Sequence, residues 1–153
     1  MKTSNLSRGE WIATFGGLLL AISLFVAWYG TDPTNANSKV NGAHAGTFSA
    51  WTVHTTMRFV LLAAAAAPFI LAWIVVREHQ LSWPRGELTA VVAIAALGLI
   101  LYVGIVQKPG EPRSTISLEP GWFLAVAGAL MMLIGAFIRT SETQRARKPP
   151  GVL

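Results

Sequence analysis

Four long stretches free of Asp, Glu, Lys, Arg and His constrain this chain more than any other feature: Trp11–Tyr29, Phe59–Val76, Leu88–Val106 and Gly121–Ile138. Each holds 18 or 19 residues, close to the roughly 20 that a helix needs to cross a hydrocarbon core about 30 Å thick. Only a helix or a closed barrel satisfies its own backbone N–H and C=O groups in lipid, and these runs have the length of helices. The pattern predicts an all-α membrane protein, a four-helix transmembrane bundle with antiparallel up-down topology.

The segments between and after these runs are too short to bury a second core. One membrane domain is therefore expected over 1–139, with helices near 11–29, 59–76, 88–106 and 121–138, the second open to a start near Ser49. A basic cytoplasmic tail follows over 140–153; its polar, Pro-ending composition predicts a disordered or lipid-hugging segment. The run from Trp11 exceeds the roughly 7–15 apolar residues of a signal peptide, which predicts its retention as the first span.

A net charge of +5 would suggest a nucleic-acid partner in a soluble protein. Here only 12% of residues are charged, and the basic ones flank the spans, where head groups and topology account for them. The lipid bilayer is the expected partner, with other membrane proteins or a second copy beside it and no nucleic acid. The absence of cysteine excludes disulfides, thiolate catalysis and Cys-based metal sites. No cofactor is expected.

Lys2, Arg8, Arg77, Arg85, Arg139, Arg145, Arg147 and Lys148 fall on one side of the threading, against Lys39, Arg58, Lys108 and Arg113 on the other. Positive residues are retained in the cytoplasm, so both termini should be cytoplasmic in a multi-pass protein of the plasma (inner) membrane. Trp11, Trp28, Tyr29, Trp73, Tyr102 and Trp122 stand at or near span ends, with Trp51 and Trp83 in the flanks. An interfacial aromatic belt explains those positions.

Helix starts are marked as well. Ser7-Arg8-Gly9-Glu10 has the form of a capping box, while Pro84 and Pro120 precede the third and fourth spans. Small residues mark the faces along which helices can approach closely. They include Gly16, Gly17 and Ala21 in the first span, Ala90, Ala93, Ala96 and Gly104 in the third, and Gly121, Ala125, Gly128, Ala129 and Gly135 in the fourth. Ala63 to Ala67 and then Pro68 predict a kink in the second. Such lines serve packing within one chain or self-association equally well.

Within the apolar cores of the spans, Thr14, Ser23 and Thr89 are the only Ser or Thr hydroxyls, each able to bond the carbonyl one turn back. No carboxylate pair or metal-ligand cluster stands there, which argues against an ion-coupled transporter. One polar cluster precedes the second span. Helical spacing from Ser49 would place Trp51, His54, Thr55 and Arg58 on one face. That face could take a small anion or a lipid head group; the plainer reading is an amphipathic lead-in with Arg58 snorkelling to phosphate. His44 and His79 read as solvated. The loop from Thr31 to Thr47 shows no strand or helix pattern, and Gln107 to Glu119, with Pro109, Pro112 and Pro120 around it, is expected to run extended.

Arg8-Gly9-Glu10-Trp11, Ala27-Trp28-Tyr29-Gly30, Ser49-Ala50-Trp51, Lys108-Pro109-Gly110 and Gly121-Trp122 occur in an order that resembles the small uncharacterised four-span integral membrane proteins of actinobacterial type. The resemblance implies a four-span inner-membrane protein and carries over no activity. Arg58 stands where that group tends to place an acid, so no site residue is carried over either.

The reading is a non-catalytic structural or accessory subunit of a membrane complex. A small oligomeric transporter of a solute or lipid is the alternative, and would need a polar path between protomers. A lipid-head-group enzyme is the third, and would have to work with His54, Arg58 or Asp32.

Overall fold

The computed structural model of the protein describes residues 6–77 and 85–147. The elements run α1 (Arg8–Ser23), β1 (Ala27–Thr31), β2 (Thr47–Ser49), α2 (Ala50–Val53), α3 (Met57–Val76), α4 (Arg85–Leu101), β3 (Ile116–Leu118) and α5 (Pro120–Arg147). A π-helical turn, Tyr102–Val106, prolongs α4, and a single 3₁₀ turn, Arg113–Thr115, leads into β3. Lys2, His79, Trp83, Pro84 and the segment 148–153 lie outside the described residues.

Among the described residues, three helices are long and apolar enough to cross a membrane: Met57–Val76, Gly86–Val106 and Pro120–Glu142. The first helix is shorter than the apolar run it overlaps. Its 16 residues span about 24 Å at 1.5 Å per residue, and it ends at Ser23 instead of reaching Tyr29. Val26 closes a last turn onto the Ser23 carbonyl, and the Leu24 carbonyl accepts the Trp51 N–H at 3.0 Å. From Ala27 the backbone is extended and pairs sideways.

That pairing makes a three-stranded antiparallel sheet in the order β2-β1-β3. Tyr29 faces Phe48 on one side and Leu118 on the other, Gly30 faces Thr47 and Ser117, and a bulge interrupts the first ladder between Ala27 and Tyr29. The all-α expectation is corrected to a mostly helical fold with a small sheet covering one end. So is the patternless loop: Asn41 and Gly42, both at positive φ, turn the chain between the bridged pair Val40 and Ala43, as a two-residue hairpin loop requires.

The helices pack in the order α3, α1, α5, α4, each antiparallel to its neighbour. Glycine sets the closest approaches. A Cβ on Gly16 would lie 2.7 Å from the Gly128 carbonyl oxygen, and one on Gly9 would lie 2.8 Å from the Arg139 amide, so α1 and α5 touch backbone to backbone. Gly17 meets Ala65 and Pro68 of α3, which runs unbroken through its proline, and Gly86 brings the start of α4 against Ala136 and Thr140. The small-residue lines thus serve packing within one chain.

The expected capping box is present. Ser7 Oγ accepts the Glu10 amide at 3.3 Å, and the Glu10 carboxylate accepts the Ser7 amide at 2.7 Å. Glu10 also faces Arg139 Nε at 3.4 Å, which ties the start of α1 to α5 at the end away from the sheet. α5 continues to Arg147, where a disordered tail from Thr140 is expected from composition. The hydroxyls of Thr140 and Ser141 each donate to a carbonyl four residues back at 3.0 Å, compatible with a continuing helix.

Polarity is arranged opposite to that of a water-soluble bundle. Ala13, Ala65, Ala93, Ala96, Ala125 and Ala129 are buried, while Trp11, Phe15, Ile70, Ile94, Ile134 and Phe137 stand exposed on the outside. An outer surface that apolar along every long helix suits a hydrocarbon solvent.

The aromatic belt is corrected in part. Trp11, Trp73 and Tyr102 are exposed, but Trp28 and Tyr29 are fully buried and Trp122 nearly so. Their polar tips bond inward: Trp28 Nε1 donates to the Ser23 carbonyl at 2.8 Å, and Trp122 Nε1 to the Ile100 carbonyl at 3.0 Å.

Candidate functional site

The polar segment before α3 does not form one helix. α2 lasts a single turn, and His54 leaves it in extended conformation at φ −104°, ψ 98°. Thr52, Val53, Thr55 and Thr56 are all β-branched, and their restricted χ1 freedom makes a continuous helix through this point unfavourable. Ser49 caps the short turn by accepting the Thr52 amide at 3.4 Å. The chain restarts at Met57 without a side-chain cap. The expectation that Trp51, His54, Thr55 and Arg58 share a helical face is therefore corrected: Arg58 and Trp51 stay together, while His54 and Thr55 part from them.

Arg58 turns back along the chain. Its Nη1 donates to the Trp51 carbonyl at 2.9 Å, and the guanidinium lies 5.1 Å from the Trp51 ring centroid and 4.8 Å from that of Phe59. Trp51 is in turn stacked on Phe25 with centroids 4.9 Å apart. A cation held between two π faces with a carbonyl to bond is a structural fastener for the α2–α3 break. Thr55 is exposed to solvent.

His54 turns inward instead. Its Nε2 lies 3.0 Å from the hydroxyl of the fully buried Tyr29, and that hydroxyl also donates to the Val103 carbonyl at 3.4 Å. The phenol thus bridges the imidazole and the Val103 carbonyl, and the donor across the Tyr29–His54 pair follows the imidazole tautomer. Burial holds the His54 pKa below its ordinary value and raises that of Tyr29 far above the usual phenol, since both charged forms lose solvation. Asp32, the other residue named for head-group chemistry, is engaged locally. Its carboxylate accepts the Thr34 amide at 2.9 Å and the Thr34 hydroxyl at 2.7 Å, which lowers its pKa.

His54 forms part of the wall of an open pocket of about 730 Å³ at the sheet end, between the start of α3 and the end of α4. Lys39, Lys108, Glu111 and Arg113 line it from the two loops, and Met57 and Tyr102 from the helices. The loops are clasped by a reciprocal backbone pair: Lys39 N–H to Glu111 O and Glu111 N–H to Lys39 O, both 3.0 Å. Gly110 permits that approach at φ 98°, since a Cβ there would lie 2.6 Å from the Lys39 carbonyl oxygen. Lys108 Nζ donates to the Ile116 carbonyl at 3.1 Å. Among the described residues, the side chains of Lys39, Glu111 and Arg113 make no hydrogen bond or ion pair.

Sequence reasoning missed this pocket, because its residues come from two loops read as featureless. The available signals were the turn pairs Asn41-Gly42 and Pro109-Gly110, which reverse the chain beside Lys39 and Lys108. Among the described residues, no group of three His, Asp or Glu side chains is close enough to hold a metal ion. Compared with protein-family models, with curated proteins and with solved structures, the chain matches none.

Proposed function

We propose that this chain is a four-span protein of the plasma membrane, with both termini cytoplasmic and the sheet on the outer surface, acting as a non-catalytic structural or accessory subunit. The observation that carries the reading is the glycine-mediated contact of α1 with α5, from Gly9–Gly135 to Gly16–Gly128, continued by Ala27 of β1 against Gly121. It packs α1 along its own length against the longest helix, so α1 enters the membrane with it. A 16-residue helix is accommodated by local thinning or by its partners' tilt at modest cost. The same backbone contact fills the interior with small apolar groups, which leaves no polar conduit along that seam.

Sidedness follows from the basic residues that flank the helices, and a rigid apolar exterior with a polar outer cap suits docking beside another membrane protein. Purification of the intact chain in a mild detergent tests the role. A membrane protein retained at fixed stoichiometry is the expected result. A homogeneous homo-oligomer that transports a solute would overturn the reading.

A further inference from the structure

We infer that the pocket at the sheet end is a binding site for a phosphate-bearing anion, held by Lys39, Lys108 and Arg113. The inference takes from the proposed function only the placement of the sheet end at the membrane surface; it does not depend on an accessory role.

Three cationic side chains converge on this cleft against one carboxylate, Glu111. The Lys39–Glu111 backbone clasp holds the two loops together, so these charges are kept near one another by structure and not by accident of loop motion. Like charges confined to one cleft repel, and among the described residues only the Lys108 ammonium has a partner, a neutral carbonyl. An oxyanion relieves the repulsion and accepts short charge-assisted bonds from two flexible ammonium groups and one planar guanidinium. At about 730 Å³ the pocket exceeds a bare phosphate and has the size of an ordinary small-molecule site.

The remaining walls indicate what accompanies the phosphate. Glu111, Gln107 and Asn41 offer polar atoms suited to hydroxyls, while Met57 and the exposed ring of Tyr102 give an apolar border where α3 and α4 leave the membrane. A glycerophosphate unit matches both halves. It is supplied by the head group of an anionic phospholipid or by a soluble phosphate ester.

The test uses the full-length chain in neutral detergent, titrated separately with phosphatidylglycerol, phosphatidylcholine, glycerol phosphate and inorganic phosphate. Binding is followed by native mass spectrometry and by the His54 ring resonances, which report on the pocket wall. One phosphatidylglycerol per chain is expected, and the doubly substituted Lys39→Ala/Arg113→Ala protein should bind it about tenfold more weakly or worse, since two charge-assisted contacts are removed. Both side chains are exposed, so the variant should keep the parent melting temperature. Arg8→Ala, at the opposite end of α1, should bind as the parent does. Glycerol phosphate binding as tightly as the lipid would support the site and assign its ligand to solution. Absence of saturable binding by every anion, undiminished binding by the double variant, or an equal loss in Arg8→Ala would overturn the site. Extraction of the membranes with alkaline carbonate tests the membrane placement separately, because a washed-off chain that still bound phosphate would retain the site and lose only the lipid source.

Discussion

Tyr29 and His54, in different elements, meet with their polar atoms 3.0 Å apart beneath the sheet. Tyr29 is fully buried, and its hydroxyl links the imidazole to the Val103 carbonyl at the end of α4. One phenol thereby ties β1, the α2–α3 break and α4 together. Replacing Tyr29 with Phe keeps the ring and removes the link, leaving a half-buried imidazole without its partner. The expected cost is about 1–3 kcal/mol, read as a lowered melting temperature in detergent. Unchanged stability would show that the link contributes nothing.

The same pair predicts a pH response. Burial disfavours the imidazolium, so the folded-state pKa of His54 lies below the ordinary value of about 6.5. As pH falls through about 6.5 the unfolded chain takes up this proton before the folded one does, and stability declines from there toward the folded pKa. Tyr29 faces the ring directly, and Lys39, Lys108, Glu111 and Arg113 share its pocket. Melting temperature should therefore be flat above about pH 6.5 and fall below it, ahead of carboxylate titration near 4. His54→Gln should flatten that portion of the curve. A parent curve that stayed level to pH 5 would contradict it.

Some of this arrangement is legible in the chain and some is not, for identifiable reasons. The Ser7–Glu10 capping box and the inward Gly16, Gly17, Ala125 and Gly128 are local or periodic features, and they stand as read. The end of α1 has no local mark: Leu24, Phe25 and Val26 are as apolar as the helix before them. The stop is made by a distant partner, Trp51, and by strands β2 and β3, so Trp28 and Tyr29 read as interfacial when they are in fact buried. The α2–α3 break does have a local cause, the run of β-branched residues around His54. Helical spacing applied through that run groups Arg58 with His54, although the two side chains part. The pocket depends on loop residues 69 or more positions apart, Lys39 against Lys108, Glu111 and Arg113, a pairing that no window of sequence contains.

Arg58 fastens the break between α2 and α3, and its replacement tests that role. Arg58→Ala removes a bond to the Trp51 carbonyl and two cation–π contacts. Together these predict a loss of about 1–3 kcal/mol with membrane insertion intact. Lysine should restore only part of the loss, because it lacks the planar group that lies against Trp51 and Phe59. A lysine variant as stable as the parent would show that charge alone suffices.

Glycine substitutions separate contact from propensity. At Gly16 a Cβ would lie 2.7 Å from both the Gly128 carbonyl oxygen and the Met132 amide, so Gly16→Val forces α1 and α5 apart. A cost of about 1–3 kcal/mol or more is expected from overpacking. Gly98, on α4, has open space where its Cβ would stand. Gly98→Ala should then be neutral or stabilising by up to about 1 kcal/mol through helix propensity alone. If both variants melted with the parent, the α1–α5 seam would not be the close contact described.

The threading makes the last prediction, and the lack of native cysteine makes it clean to measure. Asn37 and Ser141 are both exposed, one in the sheet-end loop and the other near the far end of α5. In intact cells a membrane-impermeant thiol reagent should label Asn37→Cys and spare Ser141→Cys, while permeabilised cells should label both. The reasoning is electrostatic: Arg8, Arg77 and Arg139 stand at the far end of the helices and resist translocation, against the sheet end with Lys39, Lys108 and Arg113. The sheet end therefore carries enough positive charge to make the contest real, and its loop cations are what the arginines at the far end must outweigh. Labelling of Ser141→Cys alone in intact cells would invert the orientation and put the anion pocket in the cytoplasm. Labelling of both would mean that α3, α4 and α5 do not all cross between the two positions, and the four-span arrangement would fall with it.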